Sequence, residues 1–344
     1  MADRQRAELG AVQQTLFIPL AARARETRRK RPVLRDPKAV EMIRSIDFDE
    51  AVYGRGWGAG FVTVLRTLVL DWWVRQFLAE HPAGTVVELG TGLNTRFERT
   101  DNGTAHWIDL DLPDTIELRR RFFEDTDRRE MVAASLTGED WMAAVGQRPA
   151  PYLFVSDGVL VYLDEADVTG TLTRIAGRFP GAMLAFDTYA RVTLTQQHKM
   201  AARRNIAPWA WACDDPRSLE RLGLTVVESA AITRPPAGLR AQLPARYRYL
   251  LPLAHPVFGK SPALTLFRAD RGRSFLLSHH AVDGLAEQVS VPGVPGRLLD
   301  QVQQHPAERE LPVVVALDGR QLVEAARRRG GLAAAVARVA VTPP

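Results

Sequence analysis

The 344-residue chain carries a single cysteine, Cys213, so it can form no internal disulfide framework and offers no thiolate cluster for a metal. No apolar run reaches the roughly 20 residues needed to cross a bilayer. Met1-Ala2-Asp3-Arg4 opens without the apolar stretch of a secretion signal. Strong charge of one sign is also lacking: the net charge is +5, and the basic residues are dispersed except for Arg28-Arg29-Lys30-Arg31, which reads as a solvated face. These absences argue against a secreted disulfide scaffold, a membrane protein and a nucleic-acid binder. They favour a soluble protein of the reducing cytoplasm. At 46% hydrophobic and 25% charged residues, the chain can build one large domain with an appendage, or two domains.

What is present centres on Thr85–Arg96. Val86 and Val87 run into Glu88, and Gly90 and Gly92 follow one residue apart, which predicts a buried parallel strand stopping at a tight loop. Glycine has no Cβ, so Gly90 and Gly92 allow a sharp turn and bring backbone N–H groups close to a ligand. The third glycine of a dinucleotide fingerprint would fall at Thr95 and is missing. A carboxylate at the strand end, Glu88, suits a ligand with an ammonium group or hydroxyls and would repel a pyrophosphate. A nucleoside-type ligand therefore leads over a dinucleotide, with a plain structural turn as the alternative.

Along the chain, residues 1–50 read as a polar helical lid, with Asp36-Pro37 starting a helix. Tyr53–Gly60, with four glycines spaced by two, reads as a mobile loop, and a helix is expected from Phe61 to Glu80. Further strands are expected at 106–111, 131–136, 152–157, 182–187, 225–228 and 263–267, alternating with helices, one of them capped by Asp114 and running from Ile116 to Phe123. Asp111, Asp157 and Asp187 close three of these strands. That alternation means an α/β fold with a seven-stranded, mostly parallel sheet, and acids at strand ends place a ligand at its carboxyl edge. Residues 1–270 form this domain, and 271–344 read as a small α/β appendage of a different character.

Several segments in order resemble the leucine carboxyl methyltransferase family, nearest its bacterial polyketide O-methyltransferase branch. They are Leu20–Thr27 with Asp36-Pro37, Arg66-Thr67 with Asp71, Val86–Arg96, Trp107–Pro113 and Gly158–Leu163. The resemblance covers about residues 14–270. It implies a class I methyltransferase (Rossmann-like) fold, S-adenosyl-L-methionine as cofactor and no metal, and methyl transfer to oxygen, typically of a carboxylate. It also implies that Arg66 and Arg25 meet the methionine carboxylate, that Glu88, Gly90 and Gly92 form the cofactor loop, that Asp111 takes the ribose hydroxyls, and that Ser135 and Leu136 lie by the adenine. Asp157 stands where the family usually has glutamate and is placed toward the cofactor's amino group.

Methyl transfer from a sulfonium needs alignment more than chemical catalysis, so few catalytic motifs are expected. A carboxylate acceptor needs cations to hold it, whereas a hydroxyl acceptor needs a base. After the fifth strand, Tyr189, Arg191 and Arg203 are the substrate candidates, with solvated surface cations as the competing reading for the two arginines. Tyr162 and His198 are the catalytic candidates, against a packing tyrosine and a surface histidine. Pro208-Trp209-Ala210-Trp211 suits an aromatic clamp, core packing or a subunit contact equally. His279–Gly284 is similar to a signature of acyl-transfer condensation enzymes, but too few residues remain for their two lobes. The substrate is expected to be a small molecule or peptide acceptor. A homodimer contact, or docking of a carrier protein or precursor peptide through 271–344, is the expected use of the appendage; a non-catalytic docking protein and a nicotinamide oxidoreductase are the competing functions.

Overall fold

The computed structural model describes residues 13–46, 57–204, 206–258 and 262–270. The appendage, the His279–Gly284 motif and residues 53–56 of the expected loop lie outside them.

Among the described residues, three α-helices precede the sheet: α1 (Phe17–Thr27), α2 (Pro37–Ser45) and α3 (Trp57–Glu80). Asp36 caps α2, its Oδ1 accepting from the Ala39 N–H at 2.9 Å, with Pro37 in the first turn, where no N–H is needed. The expected loop at Gly60 is instead the first turn of α3. A Cβ on Gly60 would lie 3.8 Å from Ala22 Cβ, so packing against α1 outweighs the roughly 1 kcal/mol that glycine costs a helix.

The sheet then unfolds in sequence with β1 (Thr85–Leu89), α4 (Arg96–Thr100), β2 (His106–Asp111), α5 (Pro113–Arg119), β3 (Arg129–Ala133), α6 (Asp140–Gly146), β4 (Tyr152–Ser156), α7 (Glu165–Arg178), β5 (Met183–Thr188), α8 (Arg191–Arg204), β6 (Leu224–Ala231), α9 (Ala237–Gln242), α10 (Ala245–Phe258) and β7 (Ala263–Ala269). Helix α5 starts at Pro113 behind Leu112, earlier than expected, and Asp114 lies inside it. β3 stops at Ala133, opposite Asp111, because Ser135 turns the chain with its hydroxyl on Thr137.

The strand order is β3-β2-β1-β4-β5-β7-β6, and β7 alone runs antiparallel to its neighbours. All five residues of β1 are buried, because helices cover both faces, as a parallel sheet requires. Val86, Trp107 and Leu153 pack with α3 on one face, while Val87, Ile108 and Phe154 pack with Leu172 and Ile175 of α7 on the other. A third cluster joins Phe17, Leu20 and Met42 of the N-terminal helices to Leu93 and Ile116, holding those helices over the glycine loop. The strand order reverses between β1 and β4, and the crevice at their carboxyl ends is where such sheets bind ligands.

Candidate cofactor and active site

Three glycines shape the edge. Gly90, Gly92 and Gly158 have φ of 68°, 50° and 74°, a left-handed region costly to other residues. A Cβ on Gly90 would sit 2.5 Å from Val159 Cγ1. Gly90 is therefore needed to seat Val159, in the chain segment after β4. Gly92 has room on its side-chain face, with Leu16 Cβ at 3.5 Å, and its N–H donates to Asp111 Oδ2 at 2.7 Å. Leu112 N–H donates to Asp111 Oδ1 at 2.7 Å, so Asp111 ties the β2 end to the loop. Burial pushes its carboxyl pKa up against those two hydrogen bonds. Gly158, which opens the Gly158–Leu163 motif, lets the Arg66 guanidinium approach: a Cβ there would lie 2.8 Å from that group.

Behind this edge runs a buried chain of alternating charges. Arg23 meets Asp36 at 2.9 Å, Arg99 bridges Asp36 at 3.1 Å and Asp71 at 2.7 Å, and Arg96 holds Asp71 at 2.8 Å, Glu88 at 2.6 Å and Asp157 at 2.9 Å. Arg66 then spans Asp157 at 2.5 Å and Asp187 at 3.0 Å. Desolvation would raise the Asp71 carboxyl, but Arg99 and Arg96 overcome it and bring it down to about 2. At Glu88 burial wins over Arg96, and the pKa rises. Burial likewise outweighs Arg66 at Asp187, which is raised, whereas Arg66 and Arg96 together pull Asp157 down despite its burial. Glu88, 2% exposed, has both oxygens within 2.6 Å of Arg96 Nη1, so its carboxylate is held by that arginine.

Arg66 also donates to the Tyr189 hydroxyl at 2.7 Å, and the Gly158 N–H donates to Asp187 Oδ1 at 2.8 Å. Burial drives the Tyr189 phenol pKa well up, so it stays protonated. Arg66 Nε and Asp157 Oδ1 face each other as a buried ion pair at 2.5 Å, although neither makes an aligned hydrogen bond. A paired cation and carboxylate at this edge are complementary to a zwitterionic amino-acid end, which would exchange partners with them.

The other expected residues fall unevenly. Arg25 is half-buried and, with Phe61 and Val64, lines a cavity of about 200 Å³ between α1 and α3. Ser135 is exposed and Leu136 buried just past β3, and Tyr162 is half-buried in a 3-10 turn, Leu160–Tyr162. Arg191 is exposed beside Asp214, which accepts from its backbone N–H at 2.8 Å and lies 3.7 Å from its guanidinium. Arg203 is exposed about 18 Å further along α8, so the structure does not bring these two arginines together. His198 Nε2 lies 2.5 Å from the Trp209 carbonyl; a carbonyl only accepts, so this nitrogen carries hydrogen and Nδ1 is the ring's acceptor. Arg96, Asp71 and Arg99 had been given no role by sequence. A lone acid inside the apolar run Leu68-Val69-Leu70-Asp71-Trp72 was the available signal.

The seven-stranded order with one reversed strand defines a class I methyltransferase fold. A Thermobifida fusca YX protein assigned to the methyltransferases shares it at a TM-score of 0.50, with 17% identity over 76% of this chain and 95% of that one. Residues 17–176 match the model of the leucine carboxyl methyltransferase family. The tetracenomycin polyketide synthesis O-methyltransferase TcmP of Streptomyces glaucescens is 38% identical over 62% of this chain and 79% of its own length. An S-adenosyl-L-methionine-dependent methyltransferase of Gibberella zeae, dpfgK, is 26% identical over 63% of this chain and 80% of its own. The chain belongs to the leucine carboxyl methyltransferase family and is an S-adenosyl-L-methionine-dependent methyltransferase. Among the described residues, no helix is long and apolar enough to cross a membrane.

Proposed function

We propose that the chain is an O-methyltransferase that esterifies a carboxylate of a polyketide acceptor. The observation that carries this reading is the exposed guanidinium of Arg191, two residues past Tyr189 in the chain that follows β5, a cation able to hold a carboxylate. The Tyr189 phenol, held by Arg66 and kept protonated by burial, does not take a proton from a hydroxyl. A carboxylate arrives ionised and needs orientation, and alignment can lower a barrier by roughly 7–11 kcal/mol. The polyketide class follows TcmP, whose name places that enzyme in polyketide synthesis.

In this reading, Arg66 and Arg25 hold the methionine carboxylate, Asp157 takes the amino group and Asp111 the ribose hydroxyls, with Ser135 and Leu136 beside the adenine. Gly90 and Gly92 shape the loop, and Glu88 acts through Arg96. The bound cofactor supplies an electrophilic methyl group. Arg191, two residues past Tyr189, meets the acceptor carboxylate, and Tyr162 borders the acceptor from the turn after β4. Arg203 has no part in it.

The test is methyl transfer from labelled S-adenosyl-L-methionine to a panel of polyketide acids and phenols, followed by mild alkali. Methyl esters release labelled methanol and aryl ethers do not. His198→Ala should retain most activity, and Arg191→Ala should raise KM with little change in kcat. An alkali-stable product, formed at a rate that collapses in His198→Ala, overturns the proposal.

A further inference from the structure

Trp209 and Trp211 are separated by one residue and have opposite fates. Trp211 is 2% exposed, packs in the sheet core and donates its indole N–H to Glu165 at 2.8 Å. Trp209 stays half-buried, its ring centroid 4.3 Å from that of Tyr189 at an interplanar angle of 51°. The Tyr189 hydroxyl in turn takes a hydrogen bond from Arg66, so the indole stands one ring away from the guanidinium between Asp157 and Asp187.

The backbone of Trp209 is held with unusual thoroughness. Its N–H donates to Gln197 Oε1 at 2.9 Å, and its carbonyl accepts from His198 at 2.5 Å. Buried Gln197 also donates to the Ala207 carbonyl at 3.2 Å. The next two amides, Ala210 and Trp211, both donate to the Val161 carbonyl, at 2.7 and 3.1 Å, fastening the segment to the turn that carries Tyr162. Two side chains of α8 and one carbonyl of that turn thus fix a tryptophan whose own ring is not enclosed. Core packing does not need such restraint, because burial alone would order the ring. A rigid aromatic surface held at low entropic cost is what recognition of a flat partner requires.

We infer that Trp209, backed by Tyr189, is the stacking platform for a planar aromatic ring of the acceptor. This makes it a specificity-determining residue and narrows the substrate class to aromatic carboxylates. The inference rests on the carboxylate reading above. His198 positions the platform through its Nε2, which holds the Trp209 carbonyl.

The test loads the full chain with S-adenosylhomocysteine, so that the cofactor end is filled, and titrates it calorimetrically with 2-naphthoate, cyclohexanecarboxylate and 2-naphthol. The wild type should prefer 2-naphthoate to cyclohexanecarboxylate. Trp209→Leu should weaken 2-naphthoate by roughly tenfold and leave cyclohexanecarboxylate and S-adenosylhomocysteine unchanged, while Trp209→Phe should keep most of the affinity. No binding of 2-naphthoate to the wild type, equal binding of the two acids, indifference to Trp209→Leu, or loss of S-adenosylhomocysteine affinity in that variant each overturns the platform. Tight 2-naphthol binding with the same Trp209 dependence would uphold the platform and sink the carboxylate reading, so the two failures are distinguishable.

Discussion

Replacing Arg96 with leucine tests the buried charge chain at its hub. The arginine is 1% exposed and holds carboxylates from α3, from β1 and from just past β4 at 2.6–2.9 Å. Leucine leaves Asp71, Glu88 and Asp157 without that cation, and removing one partner of a buried ion pair costs about 3–5 kcal/mol. Near neutral pH the loss should be about 4 kcal/mol, held down by proton uptake on the stranded acids. The sign follows from linkage. With Arg96 present, Asp71 and Asp157 lie below their ordinary values, so their stabilisation is complete above the unfolded pKa and is lost only in acid. Without it, Asp71 keeps Arg99 and Asp157 keeps Arg66, but Glu88, already raised by burial, loses the arginine that holds it and rises further, so stability falls as pH climbs through the raised value. The deficit should therefore be smallest near pH 5 and largest near pH 8, changing by about 1.4 kcal/mol per pH unit for each carboxyl titrating in that range. Urea unfolding followed by tryptophan fluorescence at several pH values measures it. A deficit independent of pH, or below about 1 kcal/mol at pH 8, would refute the reasoning.

Asp111→Ala should weaken S-adenosyl-L-methionine binding by about 1.5–3 kcal/mol, the worth of a hydrogen bond to a charged group, with little effect on turnover at saturating cofactor; calorimetric indifference would remove Asp111 from the ribose. Gly90→Ala and Gly92→Ala both strain a left-handed residue by about 1–2 kcal/mol, but Gly90→Ala also drives a methyl into Val159, so its melting temperature should fall further, and Val159→Ala should restore part of that loss. Equal melting temperatures for the two glycine variants would show that the Val159 contact does not matter.

Strands β1, β2, β4, β5 and β7 were legible because each is a short apolar run ended by turn residues, a pattern decided within a few residues of chain. The acids Asp111, Asp157 and Asp187 could be put at the carboxyl edge on the same ground, and the linked run Val86–Arg96 pointed to the family. Where a local pattern was overruled, distant packing did it. Gly60 is helical because α1 lies against it. The pairing of Arg66 with Asp187 joins residues 121 apart, and that of Arg96 with Asp157 residues 61 apart. No spacing in the chain announces such partners, because a buried charge is satisfied by whichever opposite charge the fold brings within about 3 Å. The same holds for His198, whose neighbour, the Trp209 carbonyl, decides which ring nitrogen carries the hydrogen. Residue type and local pattern determined which elements form and which groups stand at their ends; the tertiary structure alone decided which groups face one another, because low-dielectric contact energies depend on distance in space and not along the chain.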